Sequence, residues 1–266
     1  MAIISYHTQA ELLLKNYMLS DSLVVYSSVI CGIFACKMVY SLSQMITVAC
    51  FKGYPNLSKA QQVEWNNRSI STVHAIFITA MALHIAFWSD LFSDHLSGLI
   101  TFRSSTLSTC VLGVSVGYFI ADLGMMIWFY PTLGGMEYVV HHLLSMIAIT
   151  YAMLTGEGQL YTFMVLVSEA TTPSVNLRWY LDVAGMKKTK AYVINGVVMF
   201  SAWMVARILL FIYMFYHVYI HYNQVKEMHR SAVFLVLVVP LVLAILNLMW
   251  FGKIVMGLKK TLAKRD

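Results

Sequence analysis

The chain has 266 residues, of which 59% are hydrophobic and only 11% charged, with a mean hydropathy of +0.71. A soluble domain carries about 25% charged residues, so the composition excludes a water-soluble globular protein and places most of the chain in lipid. The net charge of +6 comes without the soluble basic face, interleaved with aromatics, that a nucleic-acid site needs. No nucleic-acid partner is expected.

A spanning helix takes about 20 apolar residues, and seven apolar segments can be read: 22–51, 70–89, 107–130, 139–155, 159–180, 191–221 and 231–257. The expected fold class is an all-α polytopic membrane protein with about seven transmembrane helices. A cleavable leader has an apolar core of about 7–15 residues; the first run is far longer and reads as an anchor. Lys37 within it is placed to snorkel. The first and sixth runs exceed the bilayer thickness and are expected to tilt or project. "TGEGQ" (155–159) predicts a tight hairpin between the fourth and fifth. Cys31, Cys36, Cys50 and Cys110 lack a CxxC or His/Cys metal spacing and read as small packing residues; no metal and no resident cofactor is expected.

Orientation follows the lysines and arginines. One side holds Lys52, Lys59, Arg68, Arg178, Lys187, Lys188, Lys190, Lys253, Lys259, Lys260, Lys264 and Arg265; the other holds Lys15, Arg103, Lys226 and Arg230. The bias predicts a cytoplasmic C-terminus and a lumenal N-terminus. It also puts the glycosylation acceptor patterns at Asn56 ("NLS") and Asn67 ("NRS") in a cytoplasmic loop, so neither is expected to carry a sugar. Trp65, Trp88, Trp128 and Trp179 stand near segment ends, where interfacial anchors belong.

Ionisable groups inside spans cost several kcal/mol unless paired, and they mark function. Here they are His74 in the second run, Asp122 in the third, His141 and His142 in the fourth, Glu169 in the fifth with Asn176 behind it, and Arg207 in the sixth. Most fall toward the cytoplasmic ends, which predicts one polar pocket opening there, with Arg207 as counter-ion to Asp122 or Glu169. Adjacent helical residues diverge by about 100°, so one histidine of the pair faces the pocket while the other packs or bonds a carbonyl. Glu137 stands four residues before His141, on the same face, and is expected to orient it. Pro173 should break the fifth helix beside Glu169. His84, His95, His217, His221 and His229 read as interfacial or packing residues.

Four stretches in order, "EWNNRSISTVHA" (64–75), "GYFIADL" (117–123), "HHLLS" (141–145) and "SEATTPSVNLRWYL" (168–181), make the chain resemble the TLC-domain family, which includes the translocating-chain-associating membrane protein and the ceramide synthases. Within it the chain is most similar to the group called TLC domain-containing protein 4, or transmembrane protein 56. The resemblance implies an N-terminal segment with the first span (1–59), a TLC domain (60–260) built as six helices around a membrane tunnel, and a basic cytoplasmic tail (261–266). It also implies an endoplasmic reticulum membrane and a lipid role. In ceramide synthases the tunnel holds a fatty acyl chain, the histidine pair at the position of His141 and His142 is required for acylation of a sphingoid base, and the acid at Asp122 matches a family position. This chain departs from the synthases at Ser168–Glu169, where His–Asp is the pattern.

Two functions are therefore expected as alternatives. One is acyl-CoA-dependent acyl transfer to a sphingoid base or related acceptor, with His141, His142 and Asp122 catalytic. The other is non-enzymatic binding, sensing or transport of membrane lipids, with His74, Glu137, Glu169, Asn176 and Arg207 lining the pocket. Metal-dependent lipid oxidation would need repeated clusters of the HxxHH kind, and "HVYIH" (217–221) lies at the other end of the membrane from the pair. A seven-span receptor reading finds no acidic–Arg–aromatic ending on the third run.

Overall fold

The computed structural model describes residues 22–93 and 96–263, and none of these is in a strand. Lys15, His95, Lys264 and Arg265 lie outside the described residues. In chain order the helices are α1 (Ser22–Cys50), α2 (Lys59–Leu83, prolonged by a π turn at His84–Trp88), α3 (Thr106–Trp128) and α4 (Met136–Thr155). Then come α5 (Gln159–Leu166), a 3-10 turn (Val167–Thr171), α6 (Thr172–Val183) and α7 (Lys190–Trp203). A π turn (Met204–Leu209) leads into α8 (Leu210–Ile220), followed by the short α9 (Tyr222–Val225) and α10 (Arg230–Leu262). Among the described residues six stretches are long and apolar enough to cross a membrane: α1, α2, α3, α4, α7 through α8, and α10.

The fifth expected span, 159–180, is apolar but not one helix: α5 and α6 meet across the 3-10 turn. Pro173 stands in the first turn of α6, where a missing N–H is harmless, so the break falls on its N-terminal side. The second span also begins earlier than hydropathy suggests. Ser58 and Gln61 form a reciprocal capping box, each side chain accepting from the other's backbone N–H, and this launches α2 at Lys59. Residues 59–69, read as loop, are therefore helix.

The "TGEGQ" hairpin forms with both glycines left-handed, Gly156 at φ 77° and Gly158 at φ 70°, a conformation other residues adopt at a cost. Between them Glu157 turns inward. Its carboxylate accepts the His229 backbone N–H at 3.0 Å, capping α10, and also meets the His229 ring.

Six elements close into a ring, each packed on the next: α2, α3, α4, α10, α7, α6 and back to α2. Phe119, Leu160, Tyr161, Phe163 and Met214 fill one half of its interior. α1 lies outside, against α3. There Gly32 and Gly117 let the backbones touch, and a Cβ added to Gly117 would stand 2.8 Å from the Ile33 amide nitrogen. Small residues at the crossing substitute for a hydrophobic drive that lipid does not supply. Trp88 and Trp128 are exposed at the ends of their spans.

Candidate functional site

The half of the ring left unfilled encloses a cavity of about 360 Å³, and all six ring elements contribute to its wall. Apolar residues such as Met126, Val175, Met199 and Ile254 share the wall with polar side chains turned inward. Glu64, Asn67, Arg68 and Ser71 of α2 recur at helical spacing on one face; Asp122 comes from α3, His141 and His142 from α4, and Trp250 from α10. Glu169 lies on the 3-10 turn, Asn176 on α6, and Arg207 on the π turn after α7. Both irregular turns thus carry a buried charge. The π turn does so within a continuous span, whereas the 3-10 turn does so where α5 gives way to α6.

The charged groups are paired. His142 Nε2 lies 2.9 Å from Asp122 Oδ2, while its Nδ1 is 3.0 Å from the Tyr138 carbonyl oxygen. Two acceptors flank the ring, an arrangement that suits an imidazolium donating at both nitrogens. Asp122 Oδ1 accepts in turn from Asn67 Nδ2 at 2.6 Å. Arg207 donates from Nε to Thr171 Oγ1 at 2.8 Å and from Nη1 to Asn247 Oδ1 at 3.0 Å, and its plane lies over Trp203. Its Nη2 stands 3.6 Å from Glu169 Oε1, whose other oxygen accepts from Thr172 at 2.8 Å. Arg207 is therefore the counter-ion of Glu169 rather than of Asp122. At the third pair, Arg68 donates to Glu64 at 2.7 Å and to Asn176 Oδ1 at 2.9 Å.

His141 differs from its neighbour. Its ring is edge-on to Trp250 and His142, and its Nδ1 is buried without a partner. That leaves Nε2 as the nitrogen able to serve the cavity. His141 and Glu169 also border a second space, a narrow and mostly apolar seam of about 40 Å³ between α4, α5 and α10, lined by Ile149, Leu166, Val236 and Leu243 with Ser145, Glu157 and Thr162 among them. Polar cavity and apolar seam meet at these two residues.

Two expected members stand elsewhere. His74 is one turn deeper on α2, beneath Tyr118, whose ring stacks on it at 3.7 Å and walls it off; its Nε2 meets Ser115 Oγ at 3.2 Å. The expected Glu137–His141 pairing does not form: the Glu137 carboxylate faces Lys253 at 4.0 Å, outside the cavity wall. Shared spacing put Glu137 and His141 on one face, but Glu137 sits in the first turn of α4, where Lys253 of α10 offers a charge at the bundle's edge.

Hydropathy alone puts Glu64, Asn67 and Arg68 in a loop, although the capping box at Ser58 marks them as helical. Asn67 is buried with its amide on Asp122, so no sugar can be attached there in the folded chain. Asn56 is exposed. Treating protein from a glycosylating host with a glycosidase should leave its mass unchanged. A shift abolished by Asn56→Gln would place the loop before α2 on the lumenal side and invert the orientation.

The family model describing the TLC domain matches residues 64–256. The chain is 30% identical to TLC domain-containing protein 4-B of Xenopus laevis, over 80% of this chain and 81% of that one. It is 26% identical to TLC domain-containing protein 4 of Homo sapiens, over 85% and 86%. TLC domain-containing protein 4-A of Xenopus laevis matches at 27% over 93% and 96%. No solved structure gives a significant match.

Proposed function

The chain belongs to the TLC-domain family, and from that premise we propose that it handles a single-chain lipid, with the polar head in the ring cavity and the hydrocarbon in the adjoining seam. The observation that carries this reading is the junction at His141 and Glu169, where a cavity of about 360 Å³ lined by the charged pairs adjoins a narrower space lined mostly by apolar side chains. An amphiphile has this polarity along its length. The seam is narrow, about 40 Å³, so a chain entering it must widen it. The family resemblance and the lysine–arginine bias support an endoplasmic reticulum membrane, with the C-terminus cytoplasmic and membrane lipids as partners.

Acyl transfer is the second reading, and His141 favours it. His142 has both nitrogens committed, so His141 Nε2 is the ring nitrogen left to act as general base. It would take the proton of an attacking amine or hydroxyl and return it to the thiolate leaving an acyl-CoA. Both readings are tested on one preparation. Protein purified in mild detergent is analysed for retained lipid by mass spectrometry, then offered acyl-CoA with sphingoid bases, lysolipids and primary amines. A lipid retained by wild type and lost from His141→Ala is the expected result. Product formation abolished by the same substitution would establish the transferase. Retention of the same lipid by both proteins would place the ligand elsewhere.

A further inference from the structure

Seven acidic, arginine and histidine side chains line the cavity; six form three opposed pairs, Glu64 with Arg68, Asp122 with His142, and Glu169 with Arg207, and the seventh, His141, counts as a neutral imidazole. With His142 donating at both nitrogens the wall sums to zero charge. A ligand with net charge would leave one sign uncompensated in a space bounded by lipid, where desolvation costs several kcal/mol per ion. A net-neutral head avoids that penalty.

The pairs are not equally closed. Glu64–Arg68 and Asp122–His142 are at hydrogen-bond distance, whereas Glu169 Oε1 and Arg207 Nη2 are 3.6 Å apart, too far for a good bond. Both residues are more than nine-tenths buried, and among the described residues these two atoms have no other hydrogen-bond partner. Neither is among the side-chain atoms sealed from the cavity without a partner. An acidic acceptor and a basic donor therefore face the same space side by side, at the mouth of the seam.

We infer that the head group bound in the ring is zwitterionic, its anionic oxygen taken by Arg207 Nη2 and its ammonium by Glu169 Oε1, on a lipid with one acyl chain. The inference rests on the single-chain reading above and adds the chemistry of the head. A neutral head that only accepts would leave Glu169 Oε1 unfilled. A fatty acid or a long-chain amine would satisfy one partner and repel the other.

The test uses delipidated full-length protein in detergent and four 14-carbon probes: a lysophosphatidylethanolamine, myristic acid, a long-chain amine and a monoacylglycerol. Binding is followed by the fluorescence of Trp203 and Trp250, which line the cavity. The zwitterion should bind about tenfold more tightly than each of the others, a difference of about 1.4 kcal/mol. Glu169→Gln, close in shape, leaves Arg207 unopposed and should move the preference toward myristic acid by a similar factor. Equal affinity for the acid, the amine or the monoacylglycerol would overturn the head-group assignment while leaving the single-chain reading intact. An unchanged preference in Glu169→Gln would overturn it as well. Binding of none of the four would sink both.

Discussion

Replacing Arg207 with leucine should destabilise the protein by about 3–5 kcal/mol, the range for removing one member of a buried ion pair. Arg207 is 5% exposed and ties its own turn to three other elements: it donates to Thr171 and Asn247, faces Glu169 and covers Trp203. Without it the Glu169 carboxylate, 8% exposed, keeps only the Thr172 hydroxyl in a region bounded by hydrocarbon. The cost therefore lies in the stranded acid more than in the lost bonds, and this origin is separable. The double substitution Arg207→Leu with Glu169→Gln removes the stranded charge and should recover most of the loss. Thermal unfolding of the detergent-solubilised protein measures both variants. A double variant no more stable than Arg207→Leu alone would show that the arginine acts through packing and its two neutral acceptors.

Asp122→Ala should cost about 3 kcal/mol, at the lower end of the same range, because the cavity lets water reach what the substitution strands. Asp122 takes His142 Nε2 on one oxygen and Asn67 Nδ2 on the other. Removing it leaves an imidazole and an amide facing an empty corner. Asp122→Asn keeps the shape and one acceptor, so it should lose less, about 1 kcal/mol, as for a single hydrogen bond. The two variants also separate orientation from packing. If Asp122 positions His142, both should disturb the His142 ring in a histidine-selective NMR spectrum, whatever the melting temperature does. Equal stability of wild type and Asp122→Ala would remove the Asn67–Asp122–His142 chain from the account.

Polar residues conspicuous by their cost in an apolar run line the cavity, whereas the pairing inferred from rotation about a single helix does not form. Asp122, His141, His142, Glu169 and Arg207 stood out because a charge in an apolar run is expensive whichever way its helix turns. Six of the eight residues singled out, these five and Asn176, need no knowledge of neighbours to be suspected, and the structure lines one cavity with them. His74 was equally conspicuous, yet Tyr118 covers it, and only the approach of α3 to α2 decides that. Glu137 was paired with His141 by spacing along its own helix, but a charge from α10 claimed it. Asn67 and Arg68 were missed because hydropathy marks where lipid begins, whereas a capping box marks where a helix begins.

The sequence by itself determined that this chain lives in a membrane, roughly where it crosses, that the hairpin at Gly156–Gly158 is tight, and to which family it belongs. These follow from local quantities: the apolar length needed to span hydrocarbon, the φ angles open to glycine, and short motifs in order. Only the tertiary structure decided that the fifth run is two helices, that Arg207 answers Glu169 and not Asp122, and that His142 is committed while His141 is left to the cavity. Those outcomes depend on the rotation of each helix about its axis and on which helix stands beside it. In lipid both are set by close packing and by the need to pair every buried charge, conditions that no single segment can meet alone.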